Sequence, residues 1–273
     1  MIYPYVGWLA VMVVVPMLMI LLYAFTTAGN EVTTFRFTLD NFTRFLTDTV
    51  FLDVLKRSMV IAIVTTVVCV LLGYPIAYVI AKGNEKSGFF WVMLITLPTW
   101  INMLVRTYAW VGILQDDGLI NHFLGFLGIG PFHMIHTTFA VVLGMVYNFI
   151  PFMILQINSA LCKMDPSLLE AAADLGASKA ETFKKVTFPL SLPGVINGIT
   201  LVFLPAVSSF FIPKLLGGGQ YFLIGNLIEN QFITVGEWNF GSAISMIMAV
   251  IMMLLMMTVR KIEIKNQGGK EEA

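Results

Sequence analysis

The chain has 273 residues, 58% of them hydrophobic and only 12% charged, where soluble domains carry roughly 25% charged residues. Its mean hydropathy is +0.85, so the solvent for much of its surface must be lipid. Sixteen Lys and Arg balance sixteen Asp and Glu, which leaves no basic surface of the kind a nucleic-acid partner requires.

The first apolar stretch runs from Val6 to Phe25. It is too long for a signal-peptide core and no small-x-small cleavage site follows, so it is expected to remain as a membrane span. Further stretches of the length needed to cross a bilayer are Ser58 to Ala81, Phe89 to Val105, Phe139 to Ala160, Leu190 to Ile212 and Gly241 to Val259. The expected fold class is therefore all-α, a polytopic protein of six transmembrane helices in one domain over residues 1–273. Prolines at 16, 75, 98, 151 and 205 fall inside these spans, where neighbouring helices can satisfy freed carbonyls, and they are expected to mark kinks.

Six spans place both termini on one side. With the N-terminus cytoplasmic, the inner segments carry Lys82, Lys86, Lys163, Lys179, Lys184, Lys185, Arg260, Lys261, Lys265 and Lys270. The outer ones carry Arg36, Arg44, Lys56, Arg57 and Lys214. Ten against five favours this orientation under the positive-inside rule. Arg106 ends the third span. There it is either a functional intramembrane charge or a side chain that snorkels to the headgroups.

The interval between the fourth and fifth spans, residues 161–189, reads as two short helices with defined ends. Asp165 is placed to cap the first, with Pro166 at its first position, and Leu168, Ala172 and Leu175 share one face. Gly176 suits the left-handed residue that closes a helix. Ser178 and Glu181 have capping-box spacing for the second helix, whose apolar side holds Ala180 and Phe183, and Pro189 is expected to end it. Such a unit either docks a partner or lies against the bilayer and its own bundle.

The spacing Glu170-Ala171-Ala172, Gly176, then Val186-x-Phe188-Pro189 resembles the EAA motif of binding-protein-dependent ABC importer permeases, EAA-x3-G-x9-I-x-LP. Val for Ile and Phe for Leu are the departures. The likeness spans the chain. Phe37 to Leu46, Gly73-Tyr74-Pro75-Ile76-Ala77, Asn102 to Trp110, Gly118 to Asn121, Leu215 to Gly219 and Leu223 to Ile228 are similar to segments of spermidine/putrescine permeases.

The resemblance implies an importer-permease (MetI-like) fold in a bacterial inner membrane, both termini cytoplasmic. It implies that Glu170, Ala171, Ala172, Asp174, Leu175, Gly176 and Pro189 belong to a coupling loop that meets an ATPase. The implied partners are a second homologous permease, a dimer of ATP-binding cassette subunits and an extracytoplasmic polyamine-binding protein. This chain is expected to hold no cofactor, ATP and Mg being bound by the ATPase. The sequence has no Walker phosphate loop, HExxH or GxSxG, so catalytic and metal residues are expected to be none.

The family likeness puts the pathway along spans three to five. Polar candidates there are Asn102, Tyr147, Asn148, Asn197, Ser208 and Ser209, each of which serves equally as an interhelical hydrogen-bonding group. The six spans as bounded contain no Asp or Glu. Asp116 and Asp117 lie in the following loop, and Trp100, Tyr108, Phe210 and Phe211 offer aromatic faces to a cation near the outer mouth. Alternatives are an importer of another small solute, or an ATPase-independent secondary transporter or channel, for which intramembrane acids or inverted repeats are the usual signs. A membrane enzyme would need a catalytic constellation on the spans. The histidines, His122, His133 and His136, sit together in one outer loop.

Overall fold

A computed structural model describes residues 2–27 and 36–268. Lys270 and both terminal residues, used above to argue orientation, lie outside the described residues. In chain order the helices are α1 (Ile2–Leu9), α2 (Val15–Ala24), α3 (Asp40–Thr47), α4 (Thr49–Lys82), α5 (Glu85–Thr96), α6 (Met103–Leu114) and α7 (Leu119–Phe126). They continue as α8 (Thr138–Cys162), α9 (Pro166–Asp174), α10 (Lys179–Thr182), α11 (Phe188–Ser208), α12 (Phe211–Leu216), α13 (Ile224–Glu229) and α14 (Trp238–Gly268). Among the described residues the only bridge is an isolated one, Thr26 to Phe37.

Five helical runs are long and apolar enough to cross a membrane, and a sixth arises if one bent pair is a single span. That pair corrects the third expected span. Phe89 to Val105 is not one helix: α5 tightens into a 3-10 turn at Leu97–Trp100, Ile101 is extended, and α6 leaves at 91°. The causes are local. Pro98 has no N–H to continue the ladder, and the Asn102 side chain accepts the Leu104 N–H at 2.8 Å, starting a new helix.

The fifth span also ends earlier than its hydropathy indicates. α11 stops at Ser208, Ser209 is extended, and Phe211 opens α12. Pro75 and Pro151 sit inside helices that run unbroken, so a proline alone did not decide where a span breaks.

Pro16 and Pro189 reveal a shared solution. Each lies two residues beyond a π-helical segment, Ala10–Val14 and Phe183–Thr187. A proline lacks the N–H for the carbonyl four residues back and its ring crowds that carbonyl; a widened turn relieves the crowding without ending the helix. Pro189 therefore does not terminate the second loop helix, and Lys179–Ser208 is one helical run.

The chain forms two compact units. The first comprises Met1–Ser58 with Phe222–Thr258. In it, carbonyls exposed at the end of α2 are collected by two amides. Asn41 Nδ2 donates to Ala24 and Thr26 oxygens at 3.2 and 3.0 Å. Asn239 Nδ2 donates to Tyr23 and Thr26 oxygens at 3.1 and 2.8 Å. Arg44 pairs with Glu237 at 2.8 Å and lies 4.2 Å over the Phe240 ring.

The second unit comprises Met59–Tyr221 with Val259–Ala273. Its centre is α8 against α11, a contact made close by small residues. A Cβ added to Gly194 would lie 2.5 Å from Ala160 Cβ and 2.7 Å from Gln156 O. Gly194→Val is therefore expected to destabilise the fold by about 1–3 kcal/mol through overpacking, lowering the Tm in detergent. Gly125→Ala, at a position with open space around it, is expected to leave the Tm unchanged.

Candidate functional site

The loop between α8 and α11 is held by a closed set of local bonds. Asp165 Oδ1 accepts the Ser167 N–H at 2.9 Å, and Pro166 follows as the first helical residue. The backbone N–H and then the hydroxyl of Ser167 hold the Asp165 carboxyl below its ordinary value of 3.8. A carboxyl shifted downward contributes fully above its ordinary value and loses that contribution as pH falls from there through the depressed folded value, so the cap is intact at neutral pH.

At the other end Ala177 N–H reaches Ala172 O at 3.0 Å and Gly176 N–H reaches Ala173 O at 2.9 Å. Gly176 takes φ +77. This is a Schellman closure, which glycine adopts without a Cβ penalty. Ser178 and Glu181 then form a complete capping box. Their bonds run from Ser178 N–H to Glu181 Oε2 at 3.0 Å and from Glu181 N–H to Ser178 Oγ at 3.3 Å.

What this frame presents is apolar and open. Leu175 is 89% exposed and Leu168 44%. Glu170, Ala171 and Asp174 are also exposed, while Ala172 and Pro189 are half-buried. Leu168, Ala171 and Leu175 stand at helical spacing, an uncovered stripe on a rigid element.

The pathway candidates are distributed over the second unit. Trp100, 84% exposed, stands in the 3-10 turn before the break, and Asn102 is the cap of α6. Tyr108 is exposed on α6. Tyr147 meets Trp110 edge-on at 5.4 Å, joining α8 to α6. Asn148 is buried, donates to Gly144 O at 2.8 Å, and leaves Oδ1 without a partner. Ser208 is exposed and returns its hydroxyl to Leu204 O at 3.1 Å. Ser209 is buried with an unpartnered Oγ, and the Phe210 and Phe211 rings lie 4.1 Å apart.

Asp116 and Asp117 are exposed, and the Asp116 carboxylate is bonded to His133 Nδ1 at 3.0 Å. The structure thus brings together Tyr147 with Trp110, Phe210 with Phe211, and Asp116 with His133. It does not gather all the candidates around one cavity. Asn197 instead lines a groove of about 410 Å³ with Gln156, Ser159 and Lys163, beside the first residues of the loop.

Of the two alternatives for Arg106, the enclosed one fits the structure better: it is half-buried with Nε and Nη1 enclosed and unpartnered. A second feature escaped sequence reasoning. Tyr74, Tyr78, Phe183 and Phe188 form an aromatic cluster. Its one visible sign was the four-residue spacing of the tyrosines.

The architecture matches that of ABC importer permeases. A bacterial alginate ABC transporter, solved in complex with an alginate pentasaccharide-bound periplasmic protein, superposes with TM-score 0.79 at 15% identity over 95% of this chain and 91% of that one. The MetNI methionine ABC transporter, in an inward-facing conformation, gives TM-score 0.60 at 15% identity over 79% and 95%. At this identity the likeness defines the fold.

Sequence defines the family. Residues 6–265 match the model for the binding-protein-dependent transport system inner membrane component, and the chain belongs to that family. It is 40% identical over 260 residues to the spermidine/putrescine transport system permease protein PotB of Escherichia coli, covering 94% of each. The PotB of Haemophilus influenzae is 38% identical over 91% of this chain and 88% of its own. The inner membrane ABC transporter permease protein YdcU of Escherichia coli is 31% identical over 77% and 71%.

The closure at Gly176 is directly testable. Gly176→Ala forces a Cβ into the left-handed region at about 1–2 kcal/mol. Hydrogen exchange of the amides at 175–177 is expected to quicken several-fold while that of α8 stays unchanged.

Proposed function

We propose that this chain is one of two permease subunits of an ATP-driven importer that carries polyamines of the spermidine/putrescine kind across a bacterial inner membrane. The observation that carries the proposal is the 40% identity to a spermidine/putrescine permease over 94% of both chains. The rigid, apolar-faced loop supports the energetic half of it. A permease with no nucleotide-binding motif needs a surface through which a separate engine acts, and Glu170 to Gly176 supply that surface for an ATP-binding cassette subunit. The loop and both termini are cytoplasmic in this reading, as the ten-to-five distribution of basic residues favours.

The second permease closes the pathway, two ATPase subunits holding ATP and Mg drive it, and an extracytoplasmic binding protein delivers the solute. Trp100, Asn102, Tyr108, Tyr147, Asn148 and Ser208 to Phe211 are the groups this chain offers. They are aromatic faces and dipoles, which attract ammonium groups without fixing them. Asp116 and Asp117 stand at the entrance, and any buried carboxylate comes from the partner permease. The groove at Gln156, Ser159 and Asn197 gives a polar exit.

In proteoliposomes containing the full complex, labelled spermidine is expected to enter only with ATP and binding protein present. Flux without nucleotide would show a secondary transporter or channel instead. Glu170→Arg is expected to release the ATPase on co-purification while the second permease stays bound. Substitution of Trp100, Asp116, Asp117 or Phe211 is expected to lower uptake without changing subunit recovery. Wild-type uptake in all four would remove the site assignment and leave the importer standing.

A further inference from the structure

The loop is joined to its bundle through two tyrosines of α4 that the coupling motif does not include. Tyr74 and Tyr78 stand one turn apart on α4, with Lys82 a turn beyond and its Nζ 4.6 Å from the Tyr78 ring centroid. Phe183, the first residue of the π segment, sets its ring edge-on to both: 5.8 Å and 88° from Tyr74, 5.5 Å and 85° from Tyr78. Phe188 lies 5.7 Å from the Tyr74 ring and 6.2 Å from Phe183, so the three rings form one triangle.

The buried hydroxyls of Tyr74 and Ser191 are 2.8 Å apart, and Ser191 Oγ donates to Phe188 O at 2.9 Å. Because serine has a single proton and gives it to that carbonyl, the Tyr74 O–H is the donor to Ser191. α4 is thereby tied to the start of α11 by a directed bond and by ring contacts.

Two further observations make this junction mechanical. A cavity of about 350 Å³, lined by Tyr78, Leu161, Leu169, Ala173 and Phe183 among others, separates α9 from the ends of α4 and α8. Beyond its link to α8 at residues 163–165, α9 meets α10 and the π segment directly, so part of any push on it passes along that run toward α11. Between α10 and α11 the run passes through the π segment Phe183–Thr187, a widened turn of the kind at which helices bend. Unbraced, that joint would absorb displacement by bending.

We propose that Tyr74 and Tyr78 form a socket for Phe183 that braces the π joint and passes the loop's movement to α4 as well as α11. The proposal rests on the reading that the loop receives the ATPase stroke. Tyr74, Tyr78 and Phe183 are positioning residues here. They touch neither solute nor ATPase, and edge-on ring contacts resist sliding because each ring's edge is held against a partner's face.

The test is the ratio of spermidine taken up to ATP hydrolysed by the reconstituted complex. Phe183→Ala is expected to lower that ratio by about 2- to 30-fold, the range over which single substitutions along a contact network alter coupling, with the ATPase still co-purifying in normal amount. Tyr78→Leu, which leaves the loop's own sequence intact, is expected to do the same, while Phe183→Tyr and Tyr78→Phe keep the rings and the ratio. A wild-type ratio in Phe183→Ala or Tyr78→Leu overturns the socket. So does a fall in uptake matched by equal falls in ATP turnover and Tm, which would make the rings packing residues only. Failure of the underlying reading looks different: the wild-type complex would then hold no ATPase, or Glu170→Arg would hold it normally.

Discussion

A peptide group left without a hydrogen-bonding partner in hydrocarbon costs several kcal/mol, and three departures from regular helix at the ends and breaks of the spans are shaped by that penalty. Where α2 ends, Asn41 and Asn239 reach across to its last carbonyls. Where the third span breaks, the Thr99 hydroxyl takes the Thr96 carbonyl at 2.6 Å and Asn102 caps the helix that follows. Where α11 ends, Ser208 turns back on Leu204. The same penalty explains why two prolines are met by widened turns rather than by chain breaks, since a π segment keeps the neighbouring carbonyls paired.

The features legible in the sequence are those whose partners lie within a few residues. The Asp165-Pro166 start, the Gly176 closure and the Ser178–Glu181 box all stand as the local pattern requires, because a cap is decided by one turn of chain. The six apolar stretches were legible for the same kind of reason, since span length depends only on how many apolar residues follow one another. The break at residues 101–102 was not. Averaged hydropathy is blind to direction, and Pro98 resembles Pro75 and Pro151, which lie in unbroken helices. What distinguishes it is the capping Asn102 that follows, a signal that an apolar window conceals. Pro189 misled through a rule that holds for helices with nothing to gain by continuing. The contact of Tyr74 with Ser191 joins positions 117 residues apart, beyond the reach of any periodicity.

Stiffness is unevenly distributed along the run from α8 through the loop to α11. The caps of the loop are closed by its own hydrogen bonds. The helices α8 and α11 approach closely enough that a single added Cβ at Gly194 meets backbone. Between these two rigid bodies lies one π joint, beside the aromatic cluster. A force applied at the exposed stripe of α9 thus meets a stiff lever, one compliant place and a stiff receiver. How far a displacement of α9 would carry depends on what supports that place.

Electrostatics places a different demand on the same chain. A polyamine carries several positive charges, and removing even one from water without compensation is prohibitive. The apolar stretches offer no carboxylate, the loop acid Asp116 is already bonded to His133, and Arg106 adds a charge of the same sign with two enclosed nitrogens unpartnered. The apolar stretches of a lone copy therefore hold no fixed anion for the cation it is proposed to carry. Its aromatic faces lower the barrier only modestly, since each cation–π contact contributes on the order of 0.5–2 kcal/mol. The remainder is left to water admitted to the pathway and, in the reading proposed above, to acids on the second permease.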